Sequence, residues 1–518
     1  MPIFKREFVF SGDTVYLYDF PEQTRILYPN PPLRPVSDSR AAVISALDNP
    51  LGAPPLISQV DSTTHVTIAF DDPCTPVPLV RDDPRRLIIE SVVEKLYAAG
   101  VKREHIRLVC AGGLHRKWTL KELKYILGKK IVKEFSDRIV CHDAEDPAQI
   151  VSLGRTSKNE VVEINRAAVD TDLCIYVNVN FLSMNGGWKT LAVGLGTYQS
   201  IRHHHRPDVL NIGSRLEPTQ SGMHESIARM GEVIQKHVNL FTVESVLNND
   251  LWPPLLARHM APAGLDKNRK PKVTARMALP VASHLPAFAR RRVRESIRAN
   301  YRLIGVHAGD VDRVHVKTLE LISRQNTIPV QGQSDIVIYG VPNFCPYSAL
   351  STINPILVLT MGMGYYFNFH RIRPLVKQGG VVIMANPFAE QFHPVHHPSY
   401  EDFYYKHLPD LSDPNDIINN LEESFASNQG YKDRYRFQHA YHGVHALLAW
   451  YWAAKGMEHT GTVIAADVDD AETAKRMGLE TAANLDTAIE KAREIMGKDA
   501  SITYHFLTPL SVADVNFV

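Results

Sequence analysis

Apolar and polar positions in the first third of the chain follow two alternating rhythms. VTIAF (66–70) is a short continuous apolar run and predicts a buried strand. A turn-rich loop follows, Asp71-Asp72-Pro73-Cys74-Thr75-Pro76. Asp83 then stands as N-cap and Pro84 as first helical residue of a helix ending before Gly100, with Ile88, Val92, Leu96 and Ala99 on one face. IRLVCA (106–111) is the next strand, ending in Gly112-Gly113-Leu114-His115-Arg116. Thr119 and Glu122 have the spacing of a capping box and predict a further helix. LCIYVNVN (173–180) is another strand and runs into NGGWK (185–189). Strand–loop–helix repeats of this kind build parallel sheets with right-handed crossovers.

Residues 1–60 are rich in proline and turn residues and are expected to wrap over a core rather than form one. Residues 250–285 read as a linker zone containing a short basic loop, KNRKPK (267–272). Beyond it SDIVIYGVP (334–342), GGVVIMANP (379–387), GTVIAADV and SITYHFL predict strands, and Gln438–Lys455 and the TAANLDTAIEKAREIMG stretch predict helices. The fold class is α/β, with two α/β domains of largely parallel sheet, residues 1–285 and 286–518.

A chain of 518 residues is long enough for two cores. Lys+Arg number 57 against Asp+Glu 56, so nothing in the charge balance points to nucleic acid. Five scattered cysteines, none in C-x-x-C spacing, predict neither a disulfide framework nor a zinc ribbon. No leader pattern and no run of apolar residues long enough to span a bilayer is present, so a cytoplasmic location is expected, with a small-molecule substrate and no membrane partner.

Three strands deliver Asp72, His115 and Lys189 just past their carboxyl ends, where open α/β sheets bind ligands. No phosphate-loop or dinucleotide fingerprint is present. A lysine on a Gly-Gly turn is a surface charge or, if buried, a nucleophile. Of His203, His204 and His205, consecutive in sequence, no more than one or two can face a common site; one ligand and two solvated neighbours is the expected split. His115 follows two glycines that let backbone approach a ligand, and is a candidate general base. EQFHPVHHPSYEDFYY (390–405) reads as a surface loop, or as a mobile lid supplying a second acid/base from His393, His396 or His397.

Four stretches taken in order, IAFDDPCTPVP, LVCAGGLHRKWTLKEL, VCHDAEDPAQIVSLGRTSKNEVVEINRAAVDTDLCIYVNV and NGGWKTLAVGLGTYQSIRHHH, resemble the nickel-pincer-nucleotide lactate racemases over roughly residues 60 to 215. The resemblance implies that residues 1–285 bind the cofactor, which lies in a cleft between the two domains. Lys189, after Gly186 and Gly187, matches the lysine that carries the pyridinium-derived nucleotide through a thioamide. His205, sixteen residues on, matches the single protein ligand of the Ni(II) ion, which the cofactor otherwise binds through two sulfurs and a ring carbon. His115 matches the first acid/base, and Asp72 the aspartate that helps hold the nucleotide. The implied reaction is reversible hydride transfer from a hydroxyl-bearing carbon, with cofactor-synthesis proteins as partners in the cell.

Three departures concern the substrate. Thr75 stands where the family has an arginine, and Val177-Asn178-Val179-Asn180 where it has a second histidine; the C-terminal Gln-x-x-Lys is missing. Thr75, Asn178 and Asn180 are therefore candidate substrate contacts, and a hydroxy acid or polyhydroxy sugar acid is expected in place of lactate. The histidine-rich loop and Tyr400, Tyr404 and Tyr405 are further groups suited to such a substrate. The alternatives are a catalytically silent homologue that binds the cofactor, and a metal-free enzyme using Lys189 as a Schiff-base nucleophile.

Overall fold

The computed structural model describes residues 4–260 and 285–516. The KNRKPK loop lies outside the described residues. Two six-stranded sheets organise the chain. The first runs, in spatial order, Leu303–Gly309, Leu240–Leu247, Leu173–Asn180, Val66–Asp71, Ile106–Ala111 and Ile139–Cys141. All its neighbours are parallel except Leu303–Gly309, which pairs antiparallel with Leu240–Leu247. The second runs Glu480–Ala482, Thr462–Ala466, Val376–Ala385, Ser334–Gly340, Ile502–His505 and Arg25–Leu27, and is parallel throughout. Central strands are apolar over most of their length because both faces are covered; Leu173–Asn180 is buried at every position.

The local signals act as the pattern predicts. Asp83 caps Pro84–Ala98 by accepting from the Arg85 amide, and Thr119 and Glu122 form the complete capping box of Leu120–Glu134. Two expectations change. The N-terminal residues do build core: Phe4–Ser11 and Thr14–Pro21 pair as a hairpin whose Phe8, Val9, Phe10 and Phe20 are buried. The Arg25–Leu27 strand completes the second sheet, while Leu303–Gly309, from beyond residue 286, completes the edge of the first. The predicted Gln438–Lys455 helix begins later, at His445, after a break that follows Gln429–Phe437. No helix among the described residues is long and apolar enough to cross a membrane.

Both sheets turn carboxyl strand ends toward one cleft. Its wall on the first sheet comes from the loops after Val66–Asp71, Ile106–Ala111 and Leu173–Asn180. The facing wall comes from the segments after Ser334–Gly340 and Ile502–His505 and from residues 361–369.

Candidate active site

The loop after Val66–Asp71 is fixed from below by a buried ion. Arg85 is fully buried; it grips Asp83 at 2.6 and 2.8 Å and donates to the carbonyls of Asp71 at 3.0 Å and Asp72 at 2.7 Å. A guanidinium that satisfies two carbonyls and a carboxylate at once leaves the turn one geometry. The two aspartates then point to different partners. Asp71 accepts from Val179 N (2.8 Å), Asn178 Nδ2 (2.6 Å) and Tyr176 Oη (3.0 Å). Burial raises its carboxyl to about 6 against the pull of those bonds and of Arg85.

Asp72 accepts from His115 Nδ1 at 3.0 Å, Trp118 Nε1 at 3.1 Å and the Cys74 amide at 3.2 Å. Burial opposes its charge, but His115, Trp118 and Cys74 outweigh burial and hold the carboxyl below its ordinary value. An ionised Asp72 fixes the His115 tautomer with its proton on Nδ1, so Nε2 carries the lone pair. The resemblance assigns Asp72 to the nucleotide; in this geometry its carboxylate is already engaged with His115 and Trp118, and it acts as the orienter of a histidine. Asp72, Cys74 and His115 also bring ligand atoms within 4.8 Å of one another. Burial keeps the Cys74 thiol protonated and Asp72 is committed to hydrogen bonds, so this trio is a hydrogen-bonded cluster rather than a metal cage.

Gly186 and Gly187 both take positive φ, 86° and 58°. A Cβ on Gly186 would fall 2.5 Å from Asn180 Oδ1 and 2.7 Å from Glu244 Oε1, so only glycine fits this turn. Glu244, buried and paired with His315 at 3.1 Å, accepts from Gly187 N at 2.7 Å. Trp188 packs its indole on Gly231 of helix Gly222–Ile234. The turn thereby aims Lys189 into the cleft, where its Nζ donates to the Met184 carbonyl at 3.0 Å. Lys189 makes no ion pair among the described residues. Burial, helped by the nearby Arg215 charge, lowers its amine to about 8.

The histidine run lies on Tyr198–His205. His205 borders the cleft, packs edge-on against Trp452, and shares its Nδ1 with His204 Nδ1 at 2.7 Å. Burial keeps it neutral. The expected split of one ligand and two solvated neighbours is corrected: His204 is fully buried behind His205, and only His203 is half-exposed.

Lys189, His205, His115, Asp72, Thr75, Asn178 and Gly186 all line one cavity of about 220 Å³. Gly187 stands one residue behind it. Asn180 does not reach it: it is fully buried against the Gly186 turn, and both its amide atoms lack a partner. The 390–405 segment also stays away from it. His396 bonds Ser351 Oγ at 2.8 Å and stacks on His393, while its carbonyl accepts from Tyr441 N. His397 is buried against Tyr400 and Tyr441. Tyr404 and Tyr405 bond Glu390. The segment is tied down at both ends and lines no part of the cleft, so His393, His396 and His397 do not border it as a lid would. The groups that sequence reasoning missed are Asp71, Tyr347, Tyr365 and Trp452 in the cleft, and His445 behind His115 at 5.3 Å between rings.

Residues 12–216 match the model of the lactate racemase N-terminal domain. Over these residues the chain is similar to the lactate racemase family. A lactate racemase of Lactiplantibacillus plantarum is 27% identical over 213 residues, which is 40% of this chain and 48% of the relative. One from Thermoanaerobacterium thermosaccharolyticum is 28% identical over 164 residues, 31% of this chain and 36% of the relative. The chain thus spans no more than about half the length of these curated lactate racemases in sequence. In three dimensions the likeness runs further. The lactate racemase apoprotein of T. thermosaccharolyticum superposes with a TM-score of 0.64 at 20% identity, covering 99% of this chain and 100% of that one. A Thermotoga maritima protein gives 0.54 at 14%, covering 95% and 100%. Both describe a shared fold; the residues matched by the N-terminal domain model include Asp72, His115, Lys189 and His205.

Proposed function

We propose that this protein is a racemase or epimerase of hydroxy acids, polyhydroxy sugar acids included, working with a nickel-pincer nucleotide carried on Lys189. What supports the reading is the convergence of a neutralisable lysine, a neutral histidine and a carboxylate-oriented histidine on one cavity in a lactate racemase domain.

The residues present fit the group. Covalent attachment needs an uncharged amine, and Lys189 makes no ion pair among the described residues and has a lowered pKa. A nickel ligand needs a neutral imidazole with one free nitrogen. His205 is neutral, and its Nδ1 is taken by His204, which leaves Nε2. Soft sulfur donors with one imidazole suit Ni(II). When bound, the group supplies a hydride acceptor. The chain's own residues do the rest. His115 Nε2 takes the proton of the substrate hydroxyl, and Asp72 holds the ring and stabilises the imidazolium that results. The tyrosines and prolines around the cavity keep bulk water from the reacting carbon.

The substrate follows from what grips it. Thr75 borders the cavity where the family has an arginine, and a neutral hydroxyl cannot hold a carboxylate bidentately. Thr75, Asn178, Asn185, Thr190 and Thr508 offer instead the neutral donors and acceptors that bind hydroxyl groups. Incubating loaded protein with D-lactate and a panel of aldonic acids, and reading products by NMR, tests this. Epimerised aldonate with little lactate racemisation is expected; efficient lactate racemisation with no sugar-acid turnover overturns the substrate assignment.

His205→Ala is expected to lose nickel, measured by metal analysis of purified protein. His203→Ala should keep it. His204→Ala should weaken it by about 10- to 100-fold, because it removes the partner that orients the ligand. Nickel retained in His205→Ala rules out this ligand.

A further inference from the structure

The Asp72–His115 pair gives the cleft one proton-handling group, on the wall built by the first sheet. Among the residues lining the cavity the remaining histidine is His205. The facing wall carries phenols. Tyr347 and Tyr365 both border the cavity, and their hydroxyls lie 2.8 Å apart. Tyr365 is the more accessible of the two, and its ring lies flat on Trp452 at 5.4 Å with 9° between planes. Arg215 stacks on the same indole at 4.2 Å. Its Nη1 donates to the carbonyls of Gly364 and Trp452, while Nε and Nη2 have no partner. No carboxylate pairs with Arg215 among the described residues, although it is 1% exposed. A buried guanidinium without a counter-ion is costly, and a neighbouring group that turns negative in the reaction offsets that cost.

We infer that Tyr365 is the second acid/base of this cleft, serving the face of the substrate opposite His115, with Tyr347 as its hydrogen-bond donor and Arg215 as the charge that stabilises its phenolate. The inference rests on the racemase reading and fills the place of the histidine missing at Val177–Asn180. When a ketone returns to an alcohol on this face, the Tyr365 O–H bond breaks and an O–H bond forms at the substrate oxygen. The phenolate accepts from Tyr347. In the reverse direction the substrate O–H breaks and Tyr365 regains the proton; the hydrogen on carbon belongs to the hydride-accepting cofactor. Burial pushes the Tyr365 phenol up, the Tyr347 hydroxyl pulls it down, Cys345 raises it, Arg215 lowers it and Cys74 raises it. The resting protonated form is the acid this step needs.

Tyr365→Phe, Tyr347→Phe, Arg215→Met and Arg215→Lys test the inference. In cofactor-loaded protein Tyr365→Phe is expected to lower kcat about 10²-fold, with KM and cofactor content within twofold of wild type. Rapid quenching should still trap ketone from one enantiomer at the wild-type rate and none from the other, a split that a merely structural defect does not produce. In unloaded protein, ultraviolet titration of phenolate should lose one high-pH transition in Tyr365→Phe. The same transition should move to higher pH in Arg215→Met and return in Arg215→Lys. Tyr365→Phe turning over within threefold of wild type, or losing both enantiomers equally, overturns the inference alone. No turnover of any hydroxy acid by loaded wild-type protein overturns the racemase reading and this inference with it.

Discussion

Lys189→Ala is expected to yield a folded protein that carries no covalent group at this position and has no racemase activity. The fold does not need the amine: its hydrogen bond is one to the Met184 carbonyl, and the turn is held by Gly186, Gly187, Glu244 and the Trp188 indole. Chemistry on this side chain needs the uncharged form. Because the folded-state value is lowered to about 8 from an ordinary lysine near 10.5, the amine is largely neutral above pH 8 and is protonated as pH falls below it. Reaction with a small amine-directed reagent in unloaded protein should therefore be half-maximal near pH 8 and fall about tenfold per unit below that, while ordinary surface lysines follow the same curve two units higher. Lys189→Arg should fail like alanine, since it keeps charge without a usable nucleophile. Intact-mass analysis of the Lys189 peptide with metal analysis separates the three readings: a nucleotide adduct with nickel, an unmodified lysine without turnover, and a lysine trapped by borohydride with substrate. A covalent cofactor retained in Lys189→Ala removes the tether assignment.

His115→Ala is the second large effect, a loss of about 10² to 10⁴ in kcat, as expected for removal of a positioned general base. Asp72→Asn isolates the orienter. Asparagine can still accept from Nδ1–H, but it no longer offers a full charge to the imidazolium that forms when the substrate hydroxyl gives up its proton. A hydrogen bond to a charged group is worth roughly 1 kcal/mol more than a neutral one, so a loss of about fivefold is the least expected. Full activity in His115→Ala would show that the proton leaves by another route.

The parts of this protein written locally in the chain were legible from it. Apolar runs marked Val66–Asp71, Ile106–Ala111 and Leu173–Asn180 because parallel strands are covered on both faces, and Asp83 and Thr119 marked the helix starts because caps act within three residues. Asp72, His115 and Lys189 were legible because each follows a strand end directly, and a parallel sheet brings such ends together. Gly186 and Gly187 were legible because the turn tolerates no Cβ. What the chain alone did not decide was everything set by packing across long separations. Asp72 joins His115 over 43 positions, Tyr365 stacks on Trp452 of a separate helix, and these groups share one cleft only when the second sheet closes on the first. The same closure left the histidines of 390–405 outside the cleft: their residue types suit acid/base work, but Ser351, Tyr400 and Tyr441 bind them elsewhere. His204 was expected in solvent and is buried, since one face of a helix turn beside the cleft must be covered whatever its polarity. Residue type and spacing define which groups are available for chemistry, whereas burial and orientation, which fix charge state and reach, are properties of the assembled walls.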